Sequence, residues 1–358
     1  MPVESTSLPP ASDSVRTTCA LGAASPPTLA KATVVPWREA IKGAVRDSAE
    51  LCSILRLDKD LSGVSPAAAR SFPVFAPWEF IGRMTPGDPH DPLLRQVLAT
   101  IDEELDPPQF ADDPVGDSAA TLSPGLIRKY HSRALLIATG ACAIHCRYCF
   151  RRHFPYANAP KSVDDWQPAL DQVAADPAID EVILSGGDPL TLVDATLAEL
   201  AHRIAKIGHV RRLRIHTRLP IVIPQRVTSD LIAWLRGTRL TPIVVVHANH
   251  ANEIDDAVSQ SLARLVDAGI PVLNQSVLLA GVNDDALTLV ELSRRLVNLR
   301  VMPYYLHQLD RVRGASHFEV PIERGLAIVE DMRRHLPGYA VPRYVQEVAG
   351  DESKRVLG

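Results

Sequence analysis

The 358-residue sequence has only five cysteines, and three of them, Cys142, Cys146 and Cys149, lie within eight residues. The other two, Cys19 and Cys52, are too scattered for a disulfide framework, which indicates unpaired thiols in a reducing compartment. The net charge of -4 disfavours a nucleic-acid-binding surface. No apolar run is long enough to cross a bilayer, and no signal peptide is recognisable. We therefore expect a cytoplasmic protein without a membrane or nucleic-acid partner.

The first third of the chain differs in composition from the rest. Residues 1–35 are rich in Ser, Thr, Pro and Ala, which is typical of a poorly ordered tail. Apolar spacing predicts one helix over 37–57 and another over 91–105, where Asp91 suits the N-cap position. We therefore predict an N-terminal helical layer over residues 36–125.

Strand-like and helix-like segments then alternate. The strand-like runs are 133–139, 181–185, 211–217, 242–247, 271–278 and 301–306. The helix-like stretches between them are 163–175, 193–207, 228–236, 255–268 and 284–298. Such alternation predicts a parallel sheet with right-handed crossovers. Because six units are fewer than the eight of a closed barrel, we predict an α/β fold. It would have a partial (β/α)6 TIM-like barrel over 126–310 and a C-terminal segment over 311–358.

Polar residues collect where the predicted strands end. They are the three thiols, 185–189, 216–218, 247–250, Gln308 and Asp310, while Asn274 and Gln275 lie within the fifth strand. Barrel enzymes build their active sites at the carboxyl ends of the strands. We therefore predict an active site at this edge of the sheet.

The thiol spacing C-x3-C-x2-C supplies ligands typical of a soft metal or an iron–sulfur cluster. Closed zinc sites and electron-transfer clusters usually take four protein ligands, so three thiols leave one iron open. The spacing resembles the signature of radical S-adenosylmethionine (SAM) enzymes, in which the open iron of a [4Fe–4S] cluster binds SAM. The alternative is a zinc site completed by His145 or His153.

A glycine-rich turn follows the second predicted strand. Gly186 and Gly187 let the backbone approach a ligand closely, and Asp188 adds a carboxylate. The turn resembles the Gly-Gly-Glu/Asp motif that holds the amino group of SAM in this superfamily. We assign His247 and Gln275 to the same cofactor.

Longer motifs surround the thiols and continue toward the C-terminus. They are 130–133, 142–154, 218–220, 224–228, 274–284 and 303–305. From about residue 85 to the end, the chain resembles the lysine 2,3-aminomutase family. The run Cys-Arg-Tyr-Cys-Phe-Arg-Arg-His-Phe and the short C-terminus resemble the branch that supplies β-lysine for modification of elongation factor P. This resemblance implies a functional link to that factor and its lysyl ligase.

The resemblance implies a second cofactor, pyridoxal 5′-phosphate (PLP). By position, Lys354 corresponds to the family lysine that binds PLP covalently, and Tyr130 and Arg133 match residues that hold this cofactor. The family lysine usually follows several glycines, whereas Asp-Glu-Ser precedes Lys354. The long-form enzymes also carry a C-terminal metal-binding segment, and the associated zinc is not expected here.

The substrate site is likewise implied by the resemblance. Arg151 matches the arginine that binds the α-carboxylate, and Asp310 and Glu347 match the two acids that hold the ε-ammonium. Glu347 replaces an aspartate and adds one methylene. A buried ammonium needs such countercharge. The implied reaction moves the amino group of L-α-lysine from C2 to C3 by radical chemistry, with an external electron donor.

Two competing functions stay open from the residues. An aminomutase for another amino acid, such as glutamate, would need cations opposite the substrate side chain. A non-catalytic iron–sulfur electron carrier would neither bind PLP nor cleave SAM.

Overall fold

The computed structural model describes residues 35–57 and 63–358. The poorly ordered tail predicted over 1–35 therefore lies outside the described residues, apart from Val35. No helix within the described ranges is both long and apolar enough to span a bilayer.

A ten-stranded sheet in the described part of the chain follows the order of the sequence. The strands are β1 (Thr121–Ser123), β2 (Leu126–Tyr130), β3 (Arg133–Thr139), β4 (Glu181–Gly186), β5 (Arg212–Thr217), β6 (Thr241–Val246), β7 (Val272–Val277), β8 (Met302–His307), β9 (Arg343–Gln346) and β10 (Arg355–Val356). Neighbouring strands from β3 to β9 pair in parallel, and the outer pairs are antiparallel. The six predicted strands are β3 to β8, which confirms the α/β fold with a partial TIM-like barrel.

Helices connect the parallel strands and precede them. They are α1 (Trp37–Lys42), α2 (Ser48–Ile54), α3 (Pro66–Ser71), α4 (Trp78–Ile81), α5 (Gln167–Ala175), α6 (Asp194–Ala205), α7 (Leu219–Val222), α8 (Ser229–Arg236), α9 (Asp256–Asp267), α10 (Ala286–Asn298) and α11 (Ile322–His335). Side chains of Thr228, Asp255 and Asp285 accept backbone N–H bonds at the starts of α8, α9 and α10. These caps stabilise the first turns of the three helices. The five predicted crossover helices correspond to α5, α6, α8, α9 and α10, and their bounds agree to within a few residues.

The single helix predicted over 37–57 is wrong. Helix α1 ends at Lys42 and α2 begins at Ser48. Between them, Val45 is buried and exchanges two backbone hydrogen bonds with Ala76. This bridge requires extended backbone, which interrupts the helix despite its apolar periodicity.

The helix predicted over 91–105 is also wrong. Asp91 does cap the start of a turn, because its carboxylate accepts the N–H groups of Leu93 and Leu94. The chain then forms short 3₁₀ turns at 94–96 and 101–104. Apolar side chains from 93 to 99 are buried on every side, so tertiary packing overrides the helical pattern. Ile101, an apolar position of the predicted helix, is 57% exposed.

The C-terminal hairpin β9–β10 was not predicted. Arg355 lies opposite Gln346 in its antiparallel register. The next facing positions are therefore Glu347 and Lys354, at the two ends of the hairpin loop. This register explains their seven-residue spacing and brings Lys354 back to the edge of the barrel.

A buried ion-pair cluster fastens the N-terminal layer to the loop that carries the thiols. Glu103 accepts hydrogen bonds from Arg147 Nε at 2.7 Å and from Arg152 Nη2 at 2.9 Å. The side chains of Glu103 and Arg147 are 1% and 0% exposed. Both arginines flank Cys149, so this single carboxylate fixes the backbone on either side of a predicted metal ligand.

Replacing Glu103 with Gln should lower the free energy of unfolding by about 3–5 kcal/mol, because two buried guanidinium groups lose their counter-ion. Chemical denaturation measures this change. Asp112→Asn is the matched control, since Asp112 pairs with Arg313 where the two side chains are 62% and 47% exposed. That control should cost about 1 kcal/mol or less. Equal losses of unfolding free energy in the two variants would show that the Glu103 cluster does not hold the N-terminal layer to the thiol loop.

Candidate active site

A cavity of about 270 Å³ lies at the carboxyl ends of the parallel strands. Every residue assigned to the cluster, SAM, PLP or the substrate lines it: Tyr130, Arg133, Cys142, Cys146, Cys149, Arg151, Gly186, Gly187, Asp188, His247, Gln275, Asp310, Glu347 and Lys354. Of the other polar residues expected at the strand ends, Asn249, His250, Asn274 and Gln308 do not line it. The thiols and Lys354 therefore share one chamber. The individual roles assigned to these residues stay predictions.

The thiol loop is shaped by backbone contacts. The Cys149 N–H donates to the Cys146 carbonyl oxygen at 3.0 Å. Burial and the neighbouring Cys146 raise the pKa of the Cys149 thiol to about 11, and burial also raises the pKa of Cys142. Because metal binding needs thiolates, binding at this triad would release protons.

Arg218 supplies positive charge beside the thiols. Its Nη1 lies 2.8 Å from Cys146 Sγ, and its Nη2 donates to Gln96 Oε1 at 2.6 Å and to Glu253 Oε2 at 2.9 Å. Arg218 is buried, and Glu253 is fully buried. The guanidinium therefore has a fixed position from which it can stabilise a thiolate.

The two histidines considered for a zinc site are engaged elsewhere. His145 Nδ1 lies 2.8 Å from the Pro73 carbonyl oxygen, and its ring stacks on Phe72. His153 Nε2 lies 3.3 Å from the Arg313 carbonyl oxygen. Within 35–57 and 63–358, no group of three or more His, Cys, Asp or Glu side chains has a geometry that could hold a metal ion. By number, three thiols match a cluster with an open iron, whereas a closed zinc site needs a fourth ligand.

The glycine turn after β4 holds the strand that leads to Cys142. Gly187 N donates to Thr139 O at 2.7 Å, and Asp188 N donates to Ala141 O at 2.8 Å. A Cβ atom on Gly187 would clash with the Ala141 carbonyl oxygen, and Gly186 has a φ of +114°. Both glycines are thus required by close backbone packing.

Asp188 stabilises this turn as well as lining the cavity. Its carboxylate accepts bonds from Thr217 Oγ1 and from the backbone N–H of Arg218, each at 2.7 Å. It also accepts the N–H groups of Leu190 and Leu219. The side chain thereby joins the ends of β4 and β5, which the sequence motif did not indicate.

A pair of histidines forms one wall of the cavity. His247 Nε2 lies 3.4 Å from His216 Nδ1. Burial and the Arg218 cation lower the pKa of His247 to about 4, and burial holds the pKa of His216 well below its usual range. Both rings are therefore neutral at physiological pH and offer polar contacts without charge.

Lys354 lines the same chamber. Its Nζ forms an ion pair with Glu347 Oε2, and Tyr130 Oη donates to Glu347 Oε1 at 2.7 Å. Burial opposes ionisation of Glu347, but Lys354 and these bonds hold its pKa below the usual value. The guanidinium of Arg133 lies 4.2 Å from the Tyr130 ring centroid. These contacts place the predicted PLP residues beside one another.

The Asp310 carboxylate differs from that of Glu347 in having no hydrogen bond or ion pair to any other described residue. Burial raises the pKa of its carboxyl to about 7, because Lys354 only partly offsets the loss of water. A carboxylate in this setting gains most from a cationic ligand.

Three further charged residues of the wall, Asp117, Lys129 and Arg214, were missed by the sequence analysis. Asp117 is 2% exposed and accepts a bond from Arg151 Nε at 2.7 Å. Lys129 Nζ lies 2.7 Å from Asp117 Oδ1 and 3.6 Å from Glu347 Oε1. The position of Lys129 beside Tyr130 was the one signal that could have identified it. Asp117 ends the acidic, proline-containing segment 106–117, here called the acidic connector, which gives no such signal.

The chain was compared with known proteins. The Radical SAM superfamily matches residues 136–232. An L-lysine 2,3-aminomutase of Escherichia coli (strain K12) is 46% identical, over 90% of this chain and 94% of that protein. The L-lysine 2,3-aminomutase of Haemophilus influenzae is 43% identical, over 89% and 94%. That of Clostridium subterminale is 34% identical, over 89% and 76%.

Replacing Gly187 with Ala should reduce the iron bound per chain after anaerobic reconstitution. The added methyl must displace the 139–141 segment, and such overpacking costs about 1–3 kcal/mol. Iron analysis and the visible absorption of the cluster measure the effect. Gly208→Ala is the control, because a Cβ there meets no atom within 4 Å. Normal iron content in Gly187→Ala would show that this turn does not position the thiols.

Proposed function

This chain belongs to the L-lysine 2,3-aminomutase family of radical SAM enzymes, and on that premise we propose that it converts L-α-lysine to β-lysine. It is an isomerase that uses a [4Fe–4S] cluster and SAM, and PLP is the proposed second cofactor. The observation that carries the proposal is the single cavity lined by both the thiol triad and Lys354. An electron carrier has no need of a lysine and an arginine in such a chamber.

The residues present fit these groups. Cys142, Cys146 and Cys149 would hold the cluster, and Lys354 would bind PLP beside Tyr130. When bound, the cluster and SAM supply hydrogen-atom abstraction, and PLP delocalises the unpaired electron as nitrogen moves from C2 to C3. The barrel would orient both cofactors and limit the access of water to them.

The charges of the wall support a substrate with a carboxylate at one end and an ammonium at the other. Arg151 would bind the α-carboxylate, because a guanidinium forms directed, charge-assisted bonds with carboxylates. Asp310 would receive the ε-ammonium, with Glu347 contributing a second negative charge. A glutamate side chain would instead face these two acids, and the like charges would repel it. The geometry therefore favours lysine over glutamate.

We further propose that the product serves the modification of elongation factor P, in a functional link with the lysyl ligase of that factor. The support is the run Cys146 to Phe154, which resembles the branch that supplies β-lysine for this purpose. A cytoplasmic location and an external electron donor follow from the same proposal.

The direct test is anaerobic incubation of the reconstituted protein with L-lysine, SAM, PLP and dithionite, followed by product analysis. β-Lysine is expected from the wild type. Lys354→Ala should lose both the PLP absorption band and β-lysine formation while it retains its cluster. A cluster-replete wild type that forms no β-lysine would contradict the proposal. Failure to bind PLP or to cleave SAM would favour the electron-carrier alternative.

The affinity for lysine should depend on the ionisation of Asp310. This carboxyl has a pKa of about 7 and is neutral at lower pH, so binding of an ammonium must expel its proton. The value of kcat/KM for lysine should therefore rise by about tenfold per pH unit below pH 7 and level off above it.

Kinetics of the holoenzyme between pH 5.5 and 8.5 check this pH dependence. Asp310→Asn should lower kcat/KM and remove the rise. Arg151→Lys is the control, because it should weaken binding and leave the rise in place. A rise that persists in Asp310→Asn would assign the titration to another group.

A further inference from the structure

Asp117 is a buried carboxylate to which neither the sequence motifs nor the proposed chemistry assign a role. It lies in the acidic connector before β1, 2% exposed, and it lines the cavity. Two cations from different parts of the fold contact it, Arg151 from the segment after the thiols and Lys129 from β2. Burying a carboxylate is costly unless it is paired, and these two contacts provide that pairing.

The contacts of Arg151 leave one edge of its guanidinium open. Nε donates to Asp117 Oδ2 at 2.7 Å, and Nη1 lies 3.2 Å from Ser185 Oγ. Nη2 has no hydrogen-bond partner among the residues that the structure describes. Because a guanidinium is planar, fixing Nε and Nη1 also fixes the direction of Nη2. Arg151 is buried and lines the cavity, so this direction is set before any ligand arrives.

Asp117 is itself held in place. Lys129 Nζ lies 2.7 Å from its Oδ1 and donates to the Val115 carbonyl oxygen at 2.8 Å. Burial opposes ionisation, but Arg151 and Lys129 together hold the pKa of Asp117 below its usual value. The carboxylate is therefore ionised near neutral pH, and it has one oxygen for each cation.

We propose that Asp117 is a positioning residue that orients Arg151 for the carboxylate of the substrate. This inference rests on the proposed function, in which Arg151 binds the α-carboxylate of lysine. Asp117 does not touch the substrate. It restricts Arg151 to one orientation and thereby reduces the conformational entropy that the arginine would lose on binding. The site consequently favours a substrate that carries a carboxylate at this end.

The test compares the wild type, Asp117→Asn and Asp112→Asn as anaerobically reconstituted holoenzymes. Asp112 lies in the same connector, but its carboxylate is exposed and pairs with Arg313. For each protein we measure KM for L-lysine and the inhibition constant of L-lysinamide, in which a neutral carboxamide replaces the carboxylate. Iron content and PLP absorbance confirm that the site is loaded.

Asp117→Asn should raise KM for lysine by about tenfold, the size expected for one charge-assisted contact. The inhibition constant of lysinamide should stay within twofold, because no ionised carboxylate is involved. Asp112→Asn should match the wild type with both compounds. Ser185→Ala removes the contact at Nη1 and should raise KM for lysine, relative to the inhibition constant of lysinamide, by a smaller factor. This variant provides a second test if Asp117→Asn does not fold.

The outcomes separate the two proposals. Equal weakening of lysine and lysinamide in a loaded Asp117→Asn enzyme would show general structural damage and overturn the positioning role alone. Unchanged KM for lysine in that enzyme would overturn it too. A wild type that binds both compounds equally would overturn the assignment of Arg151, and with it the inference. A wild type that forms no β-lysine would overturn the proposed function itself.

Discussion

Parallel pairing of β3 to β8 brings the carboxyl end of every strand to one edge of the sheet. Many of the side chains at these ends line the shared chamber. Thiols that follow β3, a glycine turn after β4 and an acid after β8 therefore meet, although they are separated by up to 168 positions, from Cys142 to Asp310. Antiparallel strands would send alternate ends to opposite edges and scatter the same residues.

Charged side chains line the chamber throughout. Beside the thiols, Arg218 supplies a cation, and the neutral His216 and His247 form part of the wall. Glu347 is paired with Lys354, whereas the Asp310 carboxylate has no partner within the described residues. Charges that are shielded from water act strongly on one another. Under the proposed function, the unpaired Asp310 is therefore the carboxylate left to receive a cationic substrate group.

Much of the fold could be predicted from the sequence, because short aliphatic runs and capped amphipathic helices are local signals. The thiol triad could also be predicted from the sequence, since its three cysteines lie within eight residues. The interrupted helices at 37–57 and 91–105 could not be predicted, because the bridge of Val45 and the burial around Leu93 are tertiary contacts. β10 has only two residues, too few for any periodicity to indicate a strand.

The site was predicted less completely than the fold. Lys354 was found through family resemblance, and its hairpin explains how a residue near the C-terminus reaches the chamber. Asp117 and Arg214 gave no signal in the sequence, although both line the cavity. The meaning of Asp117 depends on Arg151, which lies 34 residues away in sequence. Such pairs become visible only when the packed structure brings them together.

The central claim is that the thiol triad and Lys354 face one shared chamber. Deuterium at C3 of L-lysine tests this claim most directly, with mass spectrometry of SAM recovered from the anaerobic holoenzyme during turnover. The account predicts that deuterium appears at the 5′ carbon of SAM, because the hydrogen passes directly between the substrate and SAM within the chamber. Formation of β-lysine with the deuterium lost to water, and none in SAM, would contradict it.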